Sequence, residues 1–238
     1  MTKQEILQKN LTIYRNEIWS ITGSILKLRD NLFTCDSIRL CGDMVNDEPD
    51  VIMSPDPEPH ELISSILNNA SRLHKLFLVA SQRQGESDLQ YEFRKGRGEL
   101  VRTHFLGKPK QFKEIFKSRI RNSIEHFDER TDALLNALIE NDLSVEEKLI
   151  VYNLTINYKD YFNPWDLVLP IKVLVVETWE YFMVNGDLEK ESINLKKLFE
   201  EVEKIQAQVR NYIIENYPEG SVERNGTVAV LIPINQNP

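Results

Sequence analysis

The fold of this chain is decided by an N-terminal stretch that reads Leu7-Gln-Lys-Asn-Leu11-Thr-Ile-Tyr14-Arg-Asn-Glu-Ile18-Trp-Ser-Ile21-Thr-Gly-Ser-Ile25-Leu-Lys-Leu28-Arg-Asp-Asn-Leu32. Its apolar residues recur alternately every four and every three positions, which places them along one narrow stripe of an α-helix. A stripe of this kind is suited to packing against other helices. The stretch therefore predicts a long bundle helix, with Trp19 beside the stripe in the core rather than acting as a ligand platform.

Similar apolar spacing recurs further along the chain. It predicts helices from Ile63 to Ala80, over about 109–140 and from Leu195 to Tyr212. A weaker helix is expected over about 88–105, with a break at Gly96 and Gly98 because glycine disfavours helix interiors. We expect a mainly α fold, an up-down helical bundle of four to five helices that spans residues 1–238 as a single domain.

Two segments differ in character from these helices. Residues 42–60 contain four prolines and several carboxylates but no basic residue, which predicts an acidic Pro-rich loop. Residues 149–193 are rich in β-branched and aromatic side chains, and Asn185-Gly186 is a strong hairpin signal. We expect this β-rich insertion to form a small antiparallel β-hairpin or sheet, although a helix through part of 168–184 is an open alternative.

The composition indicates an ordinary globular protein. Hydrophobic residues make up 41% and charged residues 28% of the chain, and no apolar run is long enough to cross a bilayer. The first residues carry no secretory signal, so we expect a cytoplasmic protein without a membrane partner. Cys35 and Cys41 have neither CxxC spacing nor a nearby histidine, which favours reduced thiols over a disulfide or zinc site.

No known ligand motif occurs in the sequence. The chain has no glycine-rich phosphate loop, zinc-protease motif or nucleophile elbow. Its four histidines show no metal-ligand spacing. We therefore predict neither a metal nor a cofactor.

Charge is distributed unevenly along the chain. The net charge is -8, which argues mildly against a general nucleic-acid binder. Residues 94–121 nevertheless hold ten basic residues and only two acidic ones, Glu99 and Glu114. This run is either a solvated face or an anion site for nucleic-acid phosphate. The candidates for binding phosphate or RNA are Arg94, Lys95, Arg97, Arg102, Lys113 and Lys117.

The basic run leads into the segment Arg119-Ile-Arg121-Asn122-Ser-Ile-Glu125-His126-Phe-Asp128-Glu129-Arg130. On the predicted 109–140 helix, Asn122, His126 and Glu129 share one rim face. Arg121 and His126 would be about 140° apart on an ideal helix. They converge on one ligand only if the helix starts or kinks there, or if the arginine side chain wraps round.

The pattern Arg121-Asn122-x-x-x-His126 resembles the R-x(4–6)-H signature of HEPN domains, in which a polar residue often follows the arginine. The longer string from Arg121 to Arg130 is also similar to one in uncharacterised bacterial proteins, where an Arg-x-x-Arg-Gly block precedes it. Here that block is matched by Arg94-Lys-Gly-Arg97-Gly98. By its motifs, the resemblance covers about residues 60–140.

The resemblance implies a metal-independent endoribonuclease of a toxin–antitoxin or phage-defence system, often a homodimer and often bound by an antitoxin. It assigns catalysis to Arg121, Asn122 and His126. The carboxylates Glu125, Asp128 and Glu129, together with Arg130, would support these residues or pair along the helix surface. The alternative is a non-catalytic helical interaction module that binds a protein or nucleic-acid partner, in which these charges form surface salt bridges of about 0.3–0.5 kcal/mol each.

Overall fold

The structure, a computed structural model, describes residues 11–43, 53–79, 81–117, 127–140, 149–157, 168–184, 190–217 and 219–220. These residues form a mainly α fold with a small mixed sheet. The helices are α1 (Leu11–Thr34), α2 (Asp36–Asp43), α3 (Glu58–Phe77), α4 (Asp88–Phe105), α5 (Lys113–Phe116), α6 (Phe127–Glu140) and α7 (Leu195–Asn216). The strands are β1 (Met53–Ser54), β2 (Leu149–Ile156), β3 (Val168–Val175), β4 (Glu180–Val184) and β5 (Lys190–Asn194).

Helix α1 lies at the centre of the helical layer and packs against α2, α3, α4 and α7. The predicted apolar stripe is confirmed over the described residues, since Ile18, Ile21, Ile25 and Leu32 are all buried. Trp19, in contrast, is 42% exposed. Its prediction as a core residue is wrong because it lies off the stripe that faces the neighbouring helices.

Helices α3, α4 and α7 agree with their predicted spans, with differences at the ends. Helix α3 begins at Glu58, inside the segment predicted as a loop, and Met53–Ser54 of that segment pairs with β2. Helix α4 begins with a capping box at Ser87 and runs through both glycines without the predicted break. Helix α2 was not predicted. Helix α7 begins where the Asn194 side chain accepts a hydrogen bond from Lys197 N, at 2.9 Å.

The predicted continuous helix over 109–140 is wrong. A 3-10 turn covers Pro109–Gln111, α5 then runs for only one turn, and Lys117 is extended with ψ at 108°. The next described helix, α6, begins at Phe127. The apolar spacing of residues 112–138 is continuous in the sequence. The backbone nevertheless leaves the helical conformation at Lys117, a change that the spacing does not indicate.

The β-rich segment forms strands rather than the alternative helix. The five strands lie in the order β1-β2-β3-β4-β5. The pairs β3–β4 and β4–β5 are antiparallel, as predicted, whereas β2–β3 is parallel. The prediction of a wholly antiparallel sheet is therefore wrong, because β2 and β3 run in the same direction and a tight hairpin cannot join two parallel strands.

The sheet is buried on both faces over its central strands. One face contributes Leu174, Tyr181 and Ile193 to the core shared with the helices. Residues of the opposite face form a second buried cluster that includes Leu154, Val173 and others. Burial on both faces explains why Val173, Leu174 and Val175 of β3 are consecutive apolar residues rather than alternating with polar ones.

Gly98 sets the distance between α4 and the end of α3. A Cβ atom at this position would lie 2.6 Å from the carbonyl oxygen of Leu78 and 2.9 Å from Cγ2 of Val79. The first of these neighbours is a backbone atom, which cannot move without shifting the chain. Gly23 of α1 is different, because its nearest such neighbour is a side-chain nitrogen of Gln206 at 3.9 Å.

We expect Gly98→Ala and Gly23→Ala to change stability in opposite directions. Both glycines are inside helices, so alanine gains up to about 1 kcal/mol of helix propensity at each. At Gly98 the clash with Leu78 outweighs this gain, and a net loss of about 1–3 kcal/mol is expected. Urea unfolding of the two variants measures the difference. Stabilisation by Gly98→Ala equal to that by Gly23→Ala would contradict the close approach.

Candidate functional site

The central residues of the sequence motif lie outside the described residues. These are Arg121, Asn122, Glu125 and His126, and the structure makes no statement about their positions. The described chain ends at Lys117 and resumes at Phe127, where α6 begins with Asp128, Glu129 and Arg130 in its first turn. Glu129 is exposed. The structure therefore defines the two boundaries of the motif segment and what holds the first of them.

The first boundary is held by a buried carboxylate. Glu201 of α7, which is only 6% exposed, accepts hydrogen bonds from the backbone N–H groups of Glu114 at 3.0 Å and Ile115 at 2.9 Å. Burial raises the pKa of Glu201, against the lowering effect of these two bonds. The Glu114 side chain in turn accepts from Asn194 N and pairs with Lys117. Helix α5 is thus fixed to α7 immediately before the motif segment, an anchor that the sequence pattern did not indicate.

Two arginines of the basic run are used inside the fold. Arg94 forms a two-pronged ion pair with Glu86, at 2.8 and 2.7 Å, and also donates to the carbonyl of Ser81. These bonds hold the pKa of Glu86 down at about 2. Arg97 donates to the carbonyl of Lys75, in the last turn of α3. Both positions therefore have a structural role that competes with RNA binding.

Arg102 is also bonded to the end of α3, but through one atom only. Its Nε donates to the carbonyl of Phe77, and among the described residues its Nη1 and Nη2 have no hydrogen-bond partner. Burial lowers the pKa of Arg102. Its Cζ lies 5.4 Å from the centre of the Phe116 ring, and the His74 ring contacts the same phenyl ring edge-on at 5.3 Å. Arg102 and His74 thus each contact Phe116, the last residue of α5, which comes shortly before the motif segment.

The predicted lysines are at the surface or partly so. Lys113 is exposed at the start of α5. The Lys117 ammonium pairs with Glu114 at 2.9 Å. Lys95 lies over the ring of Tyr91, at 5.9 Å from its centre. Of the six predicted phosphate-binding residues, Arg102 and Lys113 therefore combine positive charge, donors without a partner in the part of the chain that the structure describes, and proximity to the motif segment.

A second polar group, not predicted from the sequence, joins α3 to the sheet. His60 is 1% exposed, its Nε2 lies 3.4 Å from Oγ1 of Thr155, and its ring is 5.8 Å from that of Tyr181. Within the described part of the chain, Nδ1 of His60 has no hydrogen-bond partner. Burial lowers the pKa of His60 to about 4; Lys172 acts in the same direction and Asp56 against it. His60 is thus a neutral structural residue at neutral pH.

The structure also bears on the other candidate sites. Cys35 and Cys41 are free and buried, and burial raises the pKa of each thiol to about 11, so neither is a reactive thiolate near neutral pH. Among the described residues, no three His, Cys, Asp or Glu side chains are grouped to hold a metal ion. None of the described helices has the length and apolar character needed to span a bilayer.

Comparison with known proteins adds no relative. Neither protein-family models, nor curated proteins, nor solved structures give a match to the chain.

We expect Glu201→Ala to destabilise the protein and loosen α5. Because a buried N–H group left without an acceptor costs roughly 1–3 kcal/mol, the loss of both bonds should lower the free energy of unfolding by at least about 2 kcal/mol. Amide hydrogen exchange should accelerate at Glu114 and Ile115. Glu200→Ala, at the exposed neighbouring position of α7, is the matched control, and equal effects of the two substitutions would contradict the anchor.

We expect His60 to make the protein less stable in acid. Its folded pKa is below the unfolded value of about 6.5, so the unfolded state takes up the proton first as the pH falls. Stability is therefore fully present above pH 6.5 and is lost as the pH falls toward 4, by up to about 3 kcal/mol for this group. The pKa of Glu201 is raised instead, so the stability that this carboxyl contributes is present in acid and is lost as the pH rises through its folded pKa.

The measurement is urea unfolding at several pH values between about 7 and 4. The His60→Gln variant should show a smaller loss on acidification than the unmodified protein. His104→Gln, which removes a half-buried histidine of α4, serves as the control. Parallel pH profiles for His60→Gln and the unmodified protein would show that His60 does not carry the effect.

Proposed function

We propose that this chain is a HEPN-like helical-bundle protein that cleaves RNA without a metal ion, with Arg121, Asn122 and His126 as the catalytic residues. The up-down bundle arrangement of that family belongs to the proposal. The observation that carries it is the placement of the usable cations. Lys113 opens α5, and Arg102 of α4 contacts Phe116 at the end of that helix, so both cations lie near the start of the motif segment, where a phosphate backbone would need them.

The interruption of the helix at Lys117 supports the proposal as well. On one continuous helix, Arg121 and His126 would be about 140° apart and would face different ligands. The backbone is extended at Lys117, and the next described helix, α6, starts at Phe127. The continuous helix over 109–140 on which that angle depends is therefore not formed.

The chemistry follows from the residue types. The imidazole of His126 takes the proton of an RNA 2′-hydroxyl, whose oxygen attacks the adjacent phosphorus. The guanidinium of Arg121 offers paired donors to the non-bridging oxygens, on which negative charge develops. Asn122 orients the ribose or the imidazole. The bond from phosphorus to the 5′-oxygen breaks, and this oxygen takes a proton from water or from the His126 imidazolium. The strand ends in a 2′,3′-cyclic phosphate, and the need for a 2′-hydroxyl excludes DNA.

Partners follow from the same proposal. In a homodimer, two copies of the Arg121 and His126 set would lie across one groove, and a strand would pass between them. An antitoxin or another protein partner would restrain the nuclease in a toxin–antitoxin or phage-defence system. A cytoplasmic location would give the enzyme access to cellular RNA.

A second candidate function is a non-catalytic interaction module. The observation that favours it is the use of Arg94 and Arg97 inside the fold, together with the ion pair of Lys117, which removes much of the basic run from RNA binding. In this case the binding partner would be a protein, and the motif charges would pair along the surface of the bundle.

Incubation of the purified protein with RNA in EDTA tests the two functions. The nuclease predicts fragments ending in 2′,3′-cyclic phosphate, and it predicts that His126→Ala slows cleavage by roughly 10²–10⁴-fold, the usual contribution of a general acid or base. His104→Ala is the matched control and should cleave at the normal rate. Equal cleavage by the His126→Ala variant would exclude the proposed mechanism, and no cleavage by the unmodified protein would favour the interaction module.

A further inference from the structure

We propose that the cleft between α2 and the segment from Ser54 to Asp56 binds a primary alkylammonium group. The cleft has a volume of about 440 Å³ and is lined by Asp36, Ser37, Arg39, Leu40, Ser54 and Asp56. This volume lies within the range of small-molecule sites. None of the lining residues belongs to the Arg121 and His126 motif, so the inference does not require that the protein be a nuclease.

The charged side chains of the cleft favour a cation. Two carboxylates, Asp36 and Asp56, line it together with one guanidinium, that of Arg39. Arg39 pairs with Asp36 at 3.5 Å, but the two side chains are 65% and 96% exposed, so this pair is weak and easily displaced. Burial, and to a smaller extent three carboxylates, raise the pKa of the neighbouring Cys35 thiol to about 11; the three are Glu58, Asp56 and Asp36. The potential beside the cleft is therefore negative.

Ser37 supplies the observation that points to a ligand rather than to a solvated acidic surface. The residue is 7% exposed, and its Oγ has no hydrogen-bond partner in the part of the chain that the structure describes. A buried hydroxyl without a partner is unfavourable, so in native proteins such a group generally bonds a water, an ion or a ligand. Because Ser37 is the most buried of the residues that line the cleft, a donor bound at the base of the cleft would give this oxygen a partner.

Asp56 is held in a fixed position. It lies between Pro55 and Pro57, which restrict its backbone conformation. Its Oδ1 accepts a hydrogen bond from Glu58 N at 3.0 Å, and its own N–H donates to Ser54 Oγ at 3.3 Å. Among the described residues its second oxygen, Oδ2, has no hydrogen-bond partner. The cleft thus holds a preorganised acceptor, which limits the side-chain entropy lost when a ligand binds.

The oxygens of the cleft suit an ammonium group better than a metal ion. A primary ammonium is a compact cation whose N–H groups all donate, and Asp36, Asp56 and Ser37 offer it oxygens. Ca²⁺ takes about six to eight oxygen ligands. Within the described ranges, no three His, Cys, Asp or Glu side chains are grouped to hold a metal. Leu40, which is 54% exposed, gives an apolar surface for the alkyl chain that carries the ammonium.

The ammonium can belong to a free amine or to the lysine side chain of a peptide, and the test separates these sources. Butylamine, 1,4-diaminobutane and N-acetyl-lysine methylamide are titrated into the full chain at neutral pH and low salt. Binding is followed by the NMR signals of the Leu40 methyl groups and the Asp56 backbone amide. We expect saturable shifts that added salt weakens. Tighter binding of the diamine than of the lysine derivative would assign the site to a free amine, and the reverse order to a peptide.

Two substitutions test the residues. Asp56→Asn removes the charge but keeps an oxygen that accepts from Glu58 N, and it should weaken amine binding by about tenfold or more. Ser37→Ala should weaken binding by about threefold or more without loss of stability in urea, because the hydroxyl has no partner to lose among the described residues. Asp88→Asn is the matched control, because the Asp88 side chain also accepts a hydrogen bond, from Gln82, but does not line the cleft.

Three outcomes would overturn the site: no saturable shift with any of the amines, unchanged affinity in either cleft variant, or an equal loss in Asp88→Asn. A destabilised Ser37→Ala protein would show that the hydroxyl serves the fold and not a ligand. Magnesium chloride and inorganic phosphate are titrated in the same way. Tighter binding of either one than of the amines, at the same NMR signals, would exclude an ammonium site.

Discussion

The end of α3 imposes a requirement on the fold, because the last carbonyls of a helix have no partner within the helix. Arginines of α4 meet it, with Arg97 donating to Lys75 and Arg102 to Phe77. These bonds need α4 to lie close against the chain that leaves α3. Gly98 allows this approach, since any side chain there would collide with the Leu78 carbonyl. The Arg-x-x-Arg-Gly block is therefore first of all a joint between two helices.

This joint changes how the basic run is interpreted. The positive charge of residues 94–121 is high in the sequence, but a guanidinium bonded to carbonyls or to Glu86 presents few donors to a ligand. Arg102 is the intermediate case, because one nitrogen serves the helix end and two remain for a ligand. Arg102, which contacts the last residue of α5, thus remains a usable cation of the run, together with Lys113 at the start of that helix.

Helix α5 is too short to be stable alone, and its position depends on α7. Glu201 provides the acceptors for its first N–H groups, and Glu114 ties it to Asn194. A buried carboxylate in this role is expensive to desolvate, which is why its pKa is raised. The hydrogen bonds that Glu201 accepts hold α5, immediately before the motif segment, against α7. His60 is likewise a buried titratable group that joins two elements, since its ring contacts Thr155 and so links α3 to β2 of the sheet.

The sequence by itself determined the long helices, the strands and the mainly α class, because apolar periodicity and β-branched runs report directly which face of a local element is buried. The capping box at Ser87, which begins α4, is likewise a local feature. Tertiary structure alone decided the parallel pairing of β2 with β3, the end of α5 at Lys117 and the duties of Arg94, Arg102 and Glu201. Those features arise from contacts between residues far apart in the chain, and the local pattern of a sequence does not show which distant residues will be in contact.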